Sequence, residues 1–209
     1  MSRPTRGIFI TFEGPDGAGK STQVELLAQA LAEQEPLVFR EPGGTELGER
    51  IREIVLHRPE SMSAEAEMHL FMAARAELLR TRIEPALAAG RIVIDDRYQD
   101  STLAYQGGGR GAPVDWPASF PKPDLTILLV LPPDVGLDRI RSGGKGLDRL
   151  DAEPLDFHRA VAAAYDRLAA ADPDRFLRVD ARGAPEEIHA EVLGRVRSLL
   201  AESEVRASS

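Results

Sequence analysis

Residues 14–21 read Gly-Pro-Asp-Gly-Ala-Gly-Lys-Ser, a glycine-bracketed loop closed by a lysine and a hydroxyl residue. Its flanks constrain the fold more than the match does. Ile8 to Phe12, just ahead, is apolar, branched and aromatic and suits a buried strand. Thr22 to Gln34, just behind, sets Val24, Leu27 and Leu31 on one helical stripe. A strand that turns through glycines into a helix gathers backbone N–H groups and the positive end of the helix dipole around one point, which holds an anion. The residues expected to cradle nucleotide phosphates are Gly14, Gly17, Ala18, Gly19, Lys20, Ser21 and Thr22, with Lys20 reaching the outer phosphates and the Ser21 hydroxyl ligating Mg²⁺. A chance glycine turn explains the loop alone but not the strand and helix around it.

Further apolar runs at Leu37–Phe39, Ile92–Ile94, Leu125–Leu131 and, more weakly, Phe176–Val179 read as strands. Helical stretches separate them: Thr45–Leu56, Ala64–Ala89 (interrupted near Pro85), Val135–Arg141, Leu155–Ala170 and about Pro185–Leu200. Strands alternating with helices predict an α/β fold, a parallel sheet with helices on both faces. In such sheets ligands bind at the carboxyl ends of the strands. A chain of 209 residues suits one domain. Its ordered core is expected over about 7–200, with a lid at about 142–150 around the Ser142–Gly146 break and a tail at 202–209 that frays. Gly107–Pro123 holds too many glycines and prolines for a continuous helix.

Composition removes several function classes. Lys+Arg 26 against Asp+Glu 34 gives a net charge of −8, which argues against a general nucleic-acid binder. No cysteine is present, so disulfides, thiolate metal sites and cysteine nucleophiles are out. His57, His69, His158 and His189 lack metal-ligand spacing. No apolar run suits a signal peptide or a membrane span, so a soluble, cytoplasmic protein is expected.

Chemistry gathers at the strand ends. Ile92-Val93-Ile94 runs into Asp95-Asp96-Arg97, where a carboxylate can hold the Mg²⁺ shell and a guanidinium can grip a second phosphate. Leu37-Val38-Phe39 runs into Arg40-Glu41-Pro42-Gly43-Gly44-Thr45, with Thr45 placed to cap the next helix and Arg52 on that helix. Phe71 and Arg75, four apart, share a helix face and suit stacking on a base beside a donor to its carbonyl, although a core phenylalanine with a snorkelling arginine is the simpler explanation of the pair taken alone. Arg139, Arg141, Lys145 and Arg149 surround the glycine break, an arrangement that can neutralise a moving phosphoryl group. Trp116, in a proline-rich loop, suggests no role. A GTP-dependent switch would also use the loop, but its Asn-Lys-x-Asp guanine reader is missing, since Pro121-Lys122-Pro123-Asp124 lacks the asparagine and precedes its strand.

Taken together, Phe-Glu-Gly-x-x-Gly-Ala-Gly-Lys-Ser at 12–21, Arg-Glu-Pro-Gly-Gly-Thr at 40–45, Leu-Phe-x-Ala-x-Arg at 70–75, Asp-Arg-Tyr-x-x-Ser-x-Leu-Ala-Tyr-Gln-Gly at 96–107, Pro-Asp-Leu-Thr at 123–126 and Leu-Asp-Arg at 147–149 resemble the thymidylate kinase family. The resemblance implies transfer of the γ-phosphate of ATP to dTMP, a five-stranded parallel sheet of the nucleoside monophosphate kinase type, and a homodimer. It implies that Phe71 stacks on thymine, Arg75 donates to its 4-carbonyl, Gln106 and Thr102 complete base recognition, and Tyr105 selects deoxyribose. Asp16 and Arg97 would face the sugar and the dTMP phosphate, Glu41 the phosphate and metal region, Arg52 the dTMP pocket, and Asp96 the Mg²⁺. Lys20, Asp16, Asp96 and Arg97 are thus the expected catalytic residues. Gly17 stands where one branch of the family has arginine, so this chain resembles the branch whose catalytic cation comes from the lid: Arg149 or Arg141 first, with Arg139 and Lys145 as alternatives. Between Arg110 and Pro123 the chain is about a dozen residues shorter than the family's usual pattern.

Overall fold

The structure, a computed structural model, describes residues 6–57, 61–143 and 147–208. Five strands, β1 (Phe9–Glu13), β2 (Leu37–Arg40), β3 (Val93–Asp96), β4 (Leu125–Val130) and β5 (Phe176–Asp180), form one parallel sheet in the order β2-β3-β1-β4-β5. β1 lies at the centre and is buried throughout, as a strand covered on both faces must be. Phe12 is level with Asp96 of β3 and Ile127 of β4, so the ends of these strands open on one edge of the sheet.

One face packs on α1 (Lys20–Ala30) and α8 (Pro185–Ser208), through Val24, Leu27, Val192 and Val196 against Ile10, Phe12, Ile127 and Leu129. The other face carries α3 (Ala64–Leu78), whose Ser63 hydroxyl accepts from the Ala66 N–H at 3.2 Å. From α3 the helical path runs through a π-helical turn, Leu79–Ile83, into α4 (Glu84–Ala88). The expected interruption near Pro85 is this change of hydrogen-bond register, which places the proline in a first turn where its missing N–H costs nothing. Between β2 and α3 lies α2 (Glu46–Arg52), capped by Thr45, whose Oγ1 accepts from the Gly48 N–H at 2.9 Å. π-helical Glu53–His57 follows it.

After β3, α5 (Gln99–Thr102) passes into a π-helical stretch, Leu103–Gly109, so helical backbone reaches two residues past Gly107, where the loop was expected to begin. The glycines there serve close packing. A Cβ on Gly108 would stand 2.4 Å from the Ala164 Cβ, and one on Gly109 would stand 2.5 Å from the Phe157 ring, both on α7 (Leu155–Ala171). α6 (Pro133–Ser142) follows β4. Within the Ser142–Gly146 break, residues 144–146 lie outside the described residues, and the proposed lid cation Lys145 with them. α8 continues to Ser208, past the helix end expected near Leu200 and into the 202–209 tail. Ala201, Glu202 and Glu204 are strong helix formers, and Glu202 pairs with Arg195 at 3.7 Å.

Candidate active site

The loop after β1 is shaped by left-handed glycines at 17 (φ 75°) and 19 (φ 86°). It meets α6 backbone to backbone. A Cβ on Gly17 would stand 2.2 Å from the Gly136 carbonyl oxygen, and one on Gly136 would stand 2.3 Å from that of Asp16. α1 begins at Gly19 with no side-chain cap, which leaves its first N–H groups to a ligand. Lys20 is buried and donates from Nζ to the carbonyls of Gly14 at 3.1 Å and Pro15 at 2.8 Å. Burial, helped by the neighbouring Arg97 charge, draws its pKa down to about 8.

Ser21 Oγ donates to Asp96 Oδ2 at 2.7 Å, which joins the loop to the end of β3. Beside them Arg97 has a left-handed backbone (φ 76°), which carries its guanidinium across to Asp16. It also donates to the Gly14 carbonyl at 3.2 Å, Ser101 Oγ at 3.1 Å and the Tyr105 hydroxyl at 3.3 Å. The Tyr105 hydroxyl in turn donates to Asp16 at 2.6 Å. Burial works against an ionised Asp16, but Arg97 and Lys20 outweigh it and hold the carboxyl below its ordinary range. Glu13 anchors the segment from beneath, accepting from the N–H groups of Tyr98 and Ser101 and from the Ser101 and Tyr165 hydroxyls.

Across the site, Arg75 is 1% exposed. Its Nε pairs with Glu41 at 2.5 Å, one terminal nitrogen donates to Thr102 Oγ1 at 2.8 Å, and the other donates to the Tyr98 carbonyl at 2.8 Å. The Tyr98 and Trp116 rings lie 5.2 and 5.3 Å from its guanidinium carbon. Glu41 therefore faces the arginine. Burial pushes its carboxyl up to about 7, and buried Asp95 beside it is raised well above the carboxylate range by burial and by Glu41.

These groups share one cavity of about 710 Å³. Of the residues expected to hold phosphates and metal, Gly17, Gly19, Lys20, Ser21, Thr22 and Asp96 line it, while Gly14 and Ala18 form the back of the loop. Asp16, Glu41, Arg52, Phe71, Arg75, Arg97, Thr102, Tyr105 and Gln106, the expected substrate residues, all line it too. The lid arginines are spread out. Arg139 lines the cavity and donates to the Gly17 and Ala181 carbonyls at 3.5 and 3.0 Å. Arg141 is exposed and pairs with Asp138 at 3.4 Å, off the cavity wall. Arg149 does not line the cavity and points into the protein behind it, donating to the Val55 carbonyl at 2.8 Å and to buried Glu67 at 2.5 Å. Arg141 and Arg149 thus stand apart from the phosphate loop that they were expected to serve.

A model of the thymidylate kinase family matches residues 12–192. The chain belongs to the thymidylate kinase family. Thymidylate kinase of Thermomicrobium roseum is 52% identical over 189 residues, 86% of this chain and 90% of that protein. Thymidylate kinase of Clavibacter sepedonicus is 48% identical over 204 residues, 93% of this chain and 97% of that protein. The crystal structure of thymidylate kinase from Ehrlichia chaffeensis superposes with a TM-score of 0.72 at 30% identity, covering 92% of this chain and 99% of that one. The sheet order and the phosphate loop thus stand in a thymidylate kinase scaffold.

Two side chains at this site went unread in the sequence. Glu67, 1% exposed in the first turn of α3, collects Gln106, Arg110 and Arg149. Trp116 covers Arg75. A lone acid in a helix and a lone tryptophan in a loop carry no local signal, because their partners lie far away in sequence.

Proposed function

We propose that this chain transfers the γ-phosphate of ATP to dTMP, giving ADP and dTDP for dTTP synthesis, by direct in-line attack of the dTMP phosphate. One observation carries this reading: a single cavity joins the lysine-bearing phosphate loop to a pocket with a ring, Phe71, and a guanidinium, Arg75. A donor triphosphate on the loop and an acceptor base beside Phe71 then bring their phosphates together near Arg97 and Lys20. Both cations gain importance as charge spreads over the transferring group. Phe71 would stack on thymine, Arg75 would donate to its 4-carbonyl with Gln106 and Thr102 alongside, and Tyr105 would fill the space that a ribose 2′-hydroxyl needs. Asp16, tied to both Tyr105 and Arg97, orients these two groups toward sugar and phosphate. Arg52, whose guanidinium donates to the Pro42 carbonyl at 3.0 Å, lends positive charge to the acceptor side.

Mg²⁺ suits the donors present. Ser21 and Asp96 offer a hydroxyl and a carboxylate at one point, and Mg²⁺ takes few protein oxygens and completes its shell with phosphate and water. Among the described residues no cluster of three or more His, Asp or Glu side chains competes for it. When bound, the ion would neutralise phosphate oxygens. We assign the remaining cation of the transfer to the lid, from Arg139, Arg141 or Arg149. Arg139 already borders the phosphate loop, and the other two require the lid to swing inward. Leu47 and Ile54, seven residues apart on one helical face and both exposed, support a homodimer. No described helix is long and apolar enough to cross a membrane; we assign the work to the cytoplasm.

A coupled assay of ADP release against a panel of nucleoside monophosphates tests the reading. dTMP should exceed dUMP by roughly 10–200-fold in kcat/KM, the worth of one methyl in an apolar pocket. Equal use of the two, or preference for a purine monophosphate, refutes the thymidylate assignment.

A further inference from the structure

Gln106 lines the cavity, and its amide can present either of two opposite faces to a base, an accepting oxygen or a donating nitrogen. Shape does not choose between them, because the two ends of the amide are nearly the same size. The partner behind the amide chooses. Here that partner is Glu67, whose carboxylate can only accept, and Gln106 Nε2 donates to it at 2.8 Å. A reversed amide would set oxygen against oxygen at that distance in a buried site, with no proton between them.

Glu67 is itself held firmly. Arg149 donates to it at 2.5 Å while its Nε is bound to the Val55 carbonyl, and Arg110 approaches at 3.4 Å while donating to Glu153 at 2.7 Å. Two cations from separate segments therefore keep the carboxylate turned toward Gln106. One amide N–H is taken by Glu67, which turns the nitrogen to that side and leaves the oxygen end for the ligand.

We propose that Glu67 is a positioning residue for substrate choice: it locks Gln106 with its oxygen toward the base, so that the site accepts a pyrimidine bearing N3–H and rejects a 4-amino pyrimidine whose N3 is bare. This rests on the dTMP reading above. Arg75 reads the adjacent atom in the same sense, since its N–H groups match a 4-oxo group and oppose a 4-amino group. A bare N3 facing the Gln106 oxygen leaves two acceptors opposed, a mismatch that lowers binding roughly five- to hundredfold. Glu67 thus sets specificity without touching the substrate.

The test compares kcat/KM for dTMP and dCMP, with ATP, in the wild-type chain, in E67Q and in E67D. The amide introduced by E67Q can donate to the Gln106 oxygen and so permits the reversed orientation. The dTMP:dCMP ratio should fall at least about tenfold in E67Q, while E67D, which keeps an acceptor-only group, should retain most of it. A purely structural role would lower both substrates together, and an unchanged ratio in folded E67Q overturns the proposal. If E67Q does not fold, judged by circular dichroism and melting, the wild-type chain decides through calorimetric binding of dTMP methylated at N3. Binding at least tenfold weaker than dTMP supports an accepting oxygen at N3, and anything less overturns it. A wild-type chain inert toward dTMP would instead overturn the underlying reading.

Discussion

Trp116→Ala removes a side chain whose surroundings allow its worth to be worked out. The indole closes a row of edge-on rings, Phe9–Tyr98–Trp116–Phe120, at centroid separations of 4.9, 5.5 and 5.4 Å. It also faces the Arg75 guanidinium at 5.3 Å. The cation–ring contact is worth about 0.5–2 kcal/mol, and each of the two aromatic contacts about 0.5–1.5 kcal/mol. A fully buried tryptophan costs about 3–5 kcal/mol on truncation, and this one is half-buried, so roughly 3 kcal/mol is expected. For a domain of this size that lowers Tm by roughly 6–12 °C. The same truncation admits water beside Arg75 and loosens the group proposed above to read the base. KM for dTMP should therefore rise about three- to tenfold, more than kcat falls, and Trp116→Phe should recover most of both effects. Melting by differential scanning calorimetry and initial rates at saturating ATP measure the two arms. A Tm shift below about 2 °C with an unchanged KM would refute the assignment of Trp116 as the cover of Arg75.

Lys20→Ala should cut kcat by about 10³-fold or more with Tm little changed, because the lysine is proposed to act on phosphate and its charge is poorly solvated at rest; near-normal turnover in a folded variant removes the loop from the chemistry. Asp95→Asn should flatten the fall of stability with pH. Asp95 and Glu41 are raised in the folded chain, so the folded state binds more protons above pH ~4, and the native protein loses up to about 1 kcal/mol per pH unit per group as pH climbs toward the Glu41 value of about 7. Identical Tm–pH slopes for the two proteins between pH 5 and 8 would contradict the shared burial of these acids. Arg141→Ala should leave Tm within about 1 °C, since its one ion pair is exposed, and should lower kcat at least tenfold if the lid delivers it to the phosphate; an unchanged kcat leaves Arg139 and Arg149.

The sheet and the phosphate loop were readable because their signals are local. Ile8 to Phe12 and Leu125 to Leu131 are unbroken apolar runs, and 14–21 is a contiguous motif between a strand and a helix. Thr45 as a helix cap was equally local. The arrangement around the base pocket was not. Glu67 meets Gln106 and Arg149 across 39 and 82 positions, and nothing in its own neighbourhood separates it from a solvated helix acid. The resemblance placed Glu41 in the phosphate and metal region, and its pairing with Arg75 is something only packing could reveal. The π-helical turns carry no periodicity of their own, and the glycines at 108 and 109 read as loop formers while serving as clearance for α7.

Gly17 and Gly136 exclude any side chain from the seam between the phosphate loop and α6, and that contact limits what this chain can become. An arginine at position 17, as in the other branch of the family, would need a Cβ where the Gly136 carbonyl stands 2.2 Å away, on a backbone at φ 75° that side chains rarely adopt. A single base change therefore cannot trade one catalytic strategy for the other. The helix would have to retreat first, and with it Arg139, the cation already beside the loop. In this chain a side chain at position 17 takes several coordinated substitutions to install, and an inhibitor shaped to the bare surface at Gly17 would leave few routes of escape by mutation there.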